Sequence, residues 1–86
     1  MTHHIFTARD LGAAFRSERE ARGLTQASVA QAARCQRQTI AAIESGENVE
    51  LFTLMRALGA LGKRLEIRDA RIEMEQLHEV FGDEDD

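Results

Sequence analysis

The 86-residue chain has no proline, tryptophan or tyrosine, and a single cysteine, Cys35. One cysteine excludes an internal disulfide and fits a reducing compartment. No apolar run approaches the roughly 18 residues that a membrane span needs. The opening residues, Met1 to Phe6, carry neither the basic nor the apolar region of a secretion signal, so a cytoplasmic location is the default expectation. His3, His4 and His78 lack metal-ligand spacing and any partner cysteine, and no metal or other cofactor is expected. No nucleophile spaced with a base, phosphate-cradling glycine loop or paired carboxylates can be found, which speaks against an enzyme.

A further absence is local. The formal net charge is -4, yet the nineteen positions from Thr25 to Ile43 hold no Asp or Glu. From Met1 to Arg64 nine Lys/Arg face six acids, leaving +3; from Leu65 to Asp86 two arginines face nine acids, leaving -7. A mildly basic body with an acidic tail reads either as two binding tasks or as a body with a solubilising terminus. At this length the chain is one domain burying about 60 to 65% of its unfolded surface, a marginal core that a partner subunit would reinforce.

What is present is helical periodicity. Thr7 and Asp10 have capping-box spacing and Phe6 and Leu11 the spacing of a hydrophobic staple, which predicts a helix from about Ala8 with Leu11, Ala14 and Phe15 inward and Gly23 as its stop. Thr25 caps a second helix, Gln26 to about Ala33, with Val29, Ala30 and Ala33 on its apolar face. A third runs from about Arg37 to Ser45, burying Ile40 and Ile43, and ends at Gly46. Leu51, Leu54, Met55, Leu58 and Leu61 define a fourth apolar face, closed by Gly62. "KRLEIRD" then switches to period two, with Leu65 and Ile67 on one side, and reads as a strand. A lone strand needs a hydrogen-bonding partner, and a second copy across a two-fold axis is the economical one. Leu58, Leu61, Leu65 and Ile67 are accordingly expected at a homodimer contact. Met74, Leu77 and Phe81 recur at helical spacing in the tail before "DEDD". This short helix is expected either to dock on a partner through Leu77 and Phe81 or to pack on its own dimer, and the acids could instead compete with nucleic acid for the basic body.

Ala30, Cys35, Ile40 and Ile43 occupy the close-crossing, turn and inner-face positions of a helix-turn-helix. The order Gln26, three residues, Ala30, nine residues, Ile40, two residues, Ile43 resembles that of the lambda-type and Xre/Cro-type repressors. So do "LTQ", "TIAAIESG" and the placing of Arg19 against Glu44, over about Leu11 to Ile67. "LMRALGALGKRLEIRD" narrows this, being similar to the close of HipB-like antitoxins. The resemblance implies an all-α, lambda-repressor-like domain of four to five helices over 1–68, with one short C-terminal strand pairing across a homodimer and an acidic tail over 69–86. It implies a sequence-specific repressor of a palindromic double-stranded DNA operator, autoregulating its operon and binding a kinase-like toxin of the HipA type. Arg19 and Glu44 would form a structural ion pair. A freestanding repressor and an interaction module without DNA binding are the alternatives, the last disfavoured by the acid-free third helix.

By motif position Gln36, Arg37, Gln38, Ala41 and Ala42 face DNA, with Thr39 and Ser45 at the flanks. Carboxylates against phosphates would be repelled, which accounts for their absence. Gln38 suits adenine, Arg37 guanine or a phosphate, the alanines a thymine methyl, and Gln26 at a helix N-terminus a phosphate. This chain departs from the family pattern at three places. Arg34 stands where glycine is usual and either reaches phosphate or simply tolerates strain; Gln36 replaces a capping Ser or Thr; Glu47 and Asn48 replace a more basic loop.

Overall fold

Thr7 starts the first helix: its hydroxyl accepts from the Asp10 N–H at 3.0 Å while the Asp10 carboxylate accepts from the Thr7 N–H at 3.2 Å. Both halves of the capping box are made, and α1 runs over Ala8–Ala21. The computed structural model describes residues 3–70, with α2 at Gln26–Ala33, α3 at Arg37–Glu44 and α4 at Leu51–Ala60. Thr25 begins α2 with a second reciprocal pair, in which Ser28 takes the role of Asp10.

The four helices end alike. Residues in the left-handed region follow each one: Gly23 (φ 66°), Arg34 (φ 59°), Gly46 (φ 76°) and Gly62 (φ 72°). The next N–H in each case folds back five residues, Leu24 to Arg19 O, Cys35 to Ala30 O, Glu47 to Ala42 O and Lys63 to Leu58 O, at 2.9 to 3.2 Å. These are Schellman closures, which satisfy carbonyls that a helix end leaves without partners.

The helix α3 packs on α1 and α2, and α2 also packs on α4. Phe15, Val29, Ala30, Ala33, Ile40, Ile43, Ala57, Leu58 and Leu61 form the buried core, with Leu24, Cys35, Val49, Leu54 and Ala60 packed against its margin. Cys35 thus lies at the edge of the core, as its turn position implies. The α1 face differs from expectation, because Leu11 is only half-buried and Gly12 is buried beside Ala14 and Phe15. A Cβ on Gly12 would lie 2.5 Å from the Ile43 carbonyl oxygen and 2.6 Å from that of Glu44. The two helices therefore cross backbone to backbone. Phe6 is 37% exposed.

The structure corrects the expectation for the inward face of α4. Periodicity places Leu51 and Met55 inward, yet they are 63% and 46% exposed, and the inward face is Thr53, Leu54, Ala57, Leu58 and Leu61. Leu58 and Leu61 lie in the chain's own core, 7% and 2% exposed. The small Ala57 and Thr53, rather than Leu51 and Met55, are the residues this face buries. After Gly62, residues 63–70 form neither helix nor sheet ladder, and no strand occurs among the described residues. A single chain has no second strand to offer Leu65 and Ile67, whose side chains are exposed. The tail anchors Leu77 and Phe81 lie outside the described residues. No helix among those described is long and apolar enough to cross a membrane.

Glu18 fastens the surroundings of α1. Its carboxylate accepts from Arg22 at 2.7 Å, lies 3.0 Å from the His3 ring nitrogen and 3.3 Å from the Lys63 ammonium. One side chain thereby links the N-terminal arm, α1 and the end of α4.

Gly12→Ala is expected to destabilise the protein by about 3 kcal/mol, since backbone rather than a flexible side chain blocks the new methyl. Urea unfolding measures this; a loss below about 0.5 kcal/mol would mean that α1 and α3 have room to part.

Candidate nucleic-acid interface

The candidate surface is built on α3. Ile40 and Ile43 point inward, Gln36, Arg37, Gln38 and Ser45 are exposed, and Thr39, Ala41 and Ala42 are half-buried at the edges. Gln36 makes no side-chain cap bond, as its replacement of Ser or Thr suggests. Arg34 is exposed in the αL conformation, φ 59° and ψ 46°. Beside α3 an open groove runs to the start of α4, bordered by Arg34, Gln36, Gln38, Thr39, Asn48 and Arg56.

Behind this surface a chain of hydrogen bonds joins three helices. Arg19 donates Nε to Glu44 Oε2 at 2.6 Å and Nη2 to Oε1 at 3.1 Å, while its Nη1 reaches the Leu24 carbonyl at 2.8 Å. The Arg19 and Glu44 side chains are only 11% and 5% exposed. A two-pronged, charge-assisted pair of this kind fixes orientation as well as distance. Gln26 adds its amide, donating Nε2 to Glu44 Oε1 at 3.1 Å. A carboxylate can only accept, so the Gln26 carbonyl must face the other way. There it accepts from Arg37 Nη1 at 3.0 Å. The motif position of Gln26 suits a phosphate; in the free protein its side chain is instead occupied by Glu44 and Arg37.

The titration of Glu44 follows from this setting. Burial pushes its carboxyl up, but the Arg19 guanidinium and the Gln26 amide outweigh burial and hold it below the ordinary carboxylate range. Arg19 is correspondingly raised, chiefly by its hydrogen bond to Glu44. The acid that closes the acid-free stretch therefore stays ionised and turned away from the exposed face of α3.

Arg56, to which no sequence pattern assigns a role, is the remaining participant. It reaches from α4 to donate Nε to the Ala33 carbonyl at 2.9 Å and Nη2 to Thr53 Oγ1 at 3.3 Å. Thr53, a buried polar side chain of α4, is satisfied by that bond, and no buried side-chain polar atom among the described residues lacks a partner. The Gln26–Glu44 link and the Glu18 cluster escape sequence reasoning as well, since neither spacing matches a recurrent motif.

A family model described as "Helix-turn-helix domain" matches residues 10–67. The chain belongs to that helix-turn-helix family. Among solved structures, this helix-turn-helix protein is similar to a complex of a HipB variant with an O2 20mer: 26% identity, a TM-score of 0.77, and 83% of this chain against 100% of that one. No curated protein matches it. The family match and the shared fold mark it as an Xre-type, HipB-like DNA-binding regulator.

The acid groups give a pH dependence. Glu18 is lowered from an ordinary 4.5 to about 2, first by Arg22 and then by His3, with Lys63 adding and desolvation opposing. A carboxyl depressed on folding contributes stability that is complete above its unfolded pKa and lost as pH falls through the folded one. The urea midpoint should therefore decline as pH drops from 4.5 toward 2, and Glu18→Gln should flatten part of that decline. A variant with the same acid profile as the natural protein would show that the cluster does not bind in solution.

Proposed function

We propose that this protein is a sequence-specific, dimeric transcriptional repressor and the antitoxin of a toxin-antitoxin pair, autoregulating its operon and restraining a kinase-like toxin of the HipA type. The observation that carries DNA reading is α3 itself: an exposed helix bearing Arg37 and Gln38, its one acid turned inward onto Arg19, in a stretch otherwise free of carboxylates. A helix of that surface fits the major groove, where Gln38 matches the N6 and N7 edge of adenine and Arg37 the O6 and N7 edge of guanine. Gln36, Thr39, Ala41, Ala42 and Ser45 complete the face, Arg34 suits a phosphate, and Gln26 supports Arg37. The similarity to a HipB complex supports the antitoxin reading, and nothing in the chain's residues calls for an enzymatic role.

Dimerisation has its own support. The α4 side chains Leu51, Phe52 and Met55 and the following Leu65 and Ile67 are large, apolar and exposed, with Phe52 at 77% and Ile67 at 101%. Residues 64–68 of two copies, paired antiparallel about a two-fold axis, would satisfy their backbone groups and shelter Ile67. Such a dimer would carry two α3 helices, as a palindromic site requires.

Footprinting on the DNA upstream of the coding region tests the reading. Arg37→Ala should weaken specific binding by about 1 to 3 kcal/mol, and Gln38→Ala should relax the choice of base at its position. An unaltered footprint with both changes together would remove α3 from the interface. Ile67→Asp should convert a sedimenting dimer to monomer; a natural protein already monomeric at operator-binding concentration would end the dimer proposal. Co-purification of a kinase-like neighbour distinguishes the antitoxin from a freestanding repressor.

A further inference from the structure

We propose that Arg56 is a positioning residue for DNA reading: it locks the turn between α2 and α3 by standing in for the glycine which that helix end lacks. Four helices close in the same Schellman pattern, three with glycine in the left-handed position and α2 with Arg34. A side chain with a Cβ is disfavoured there, because the Cβ crowds the adjoining carbonyl oxygen. Among the described residues, α2 is also the end at which a cation from another helix bonds the carbonyl just before the left-handed residue, Arg56 Nε to Ala33 O at 2.9 Å. The corresponding carbonyls of Arg22, Ser45 and Leu61 accept from no side chain among those residues.

The geometry explains why this bond acts on the turn. The φ angle of Arg34 is measured against the peptide plane that joins Ala33 to Arg34. One end of that plane is tied by the Arg34 N–H to Gln31 O at 3.3 Å, the other by the Ala33 carbonyl to Arg56. The plane on the far side of Arg34 is tied by the Cys35 N–H to Ala30 O at 3.0 Å, so with both flanking planes held Arg34 cannot relax to negative φ without breaking that bond or the charge-assisted one to Arg56. Thr53, buried one turn earlier on α4, receives Arg56 Nη2 at 3.3 Å and aims the guanidinium. Gln36, Arg37 and Gln38 begin two residues beyond Arg34, so a shift in its φ would re-aim every side chain placed on DNA.

The test is a mutant cycle on the full chain, with the operator of the natural protein as the DNA. Arg56→Met should weaken operator binding about tenfold at fixed salt, the scale of one lost charge-assisted bond. In an Arg34→Gly background, where the turn has no strain to resist, the same change should weaken binding by no more than about twofold. Equal losses in the two backgrounds would overturn the proposal. So would a salt dependence shallower by about one ion in Arg56→Met, which would make Arg56 a phosphate contact instead. The affinity arm rests on the DNA-reading proposal, so a second arm uses no DNA and tolerates an unstable Met variant. Arg56→Lys keeps charge but cannot span both acceptors, and amide exchange at Arg34 and Cys35 should quicken about tenfold relative to Gly23 and Leu24 at the glycine-closed end of α1. Unchanged relative protection there would sink the clamp whatever the operator data say, whereas failure of the natural protein to bind its upstream DNA would sink only the functional reading.

Discussion

The paired guanidinium and carboxylate of Arg19 and Glu44 hold α3 in place against α1. Both groups are nearly buried, and each satisfies the other through two bonds. A buried ion pair adds little net stability over a well-packed apolar pair, but removing one partner strands a charge away from water. Its value here is location. Arg19 also grips the Leu24 carbonyl, so the same side chain sets the path of the chain into α2. The relative placement of α1, α2 and α3 thus passes through one guanidinium.

That pairing also shapes the electrostatics of the face. Glu44 is the first acid after Glu20, and as the last residue of α3 it would repel a phosphate if it pointed outward. Bound inward to Arg19 and Gln26, it stays charged without contributing to the exposed face of α3. The Gln26 amide, oriented by Glu44, in turn presents its oxygen to Arg37. A long flexible side chain is therefore partly ordered before any ligand arrives, which lowers the entropy lost on binding.

Much of this architecture is legible in the sequence because it depends on near neighbours along the chain. Thr7 with Asp10, Thr25 as a cap, and glycines 23, 46 and 62 each act within one turn, and the four helices fall where those signals place them. The inward Ile40 and Ile43 are readable from spacing, and the Arg19–Glu44 pair from family resemblance. The rotation of α4 is not. Five leucines and methionines at helical spacing outweigh Ala57 and Thr53 in any pattern, but close packing against α2 selects the small side chains and turns Leu51 and Met55 outward. Gly12 stays silent for the opposite reason, since a glycine inside a helix signals nothing until the neighbouring backbone is known. Arg56 and Ala33 are 23 positions apart and joined through a carbonyl, a contact that no side-chain pattern encodes.

The crossing at Gly12 bears on how such a protein could change its target. Where main chain lies on main chain, α3 cannot rock by itself, and any tilt has to carry α1 and the Glu18-bound arm with it. On the proposed reading, accommodation to an imperfect site would then fall to the tips of Arg37, Gln38 and their neighbours. Replacing those tips alone would give the same rigid chassis a new address, without the scaffold having to be refitted around it.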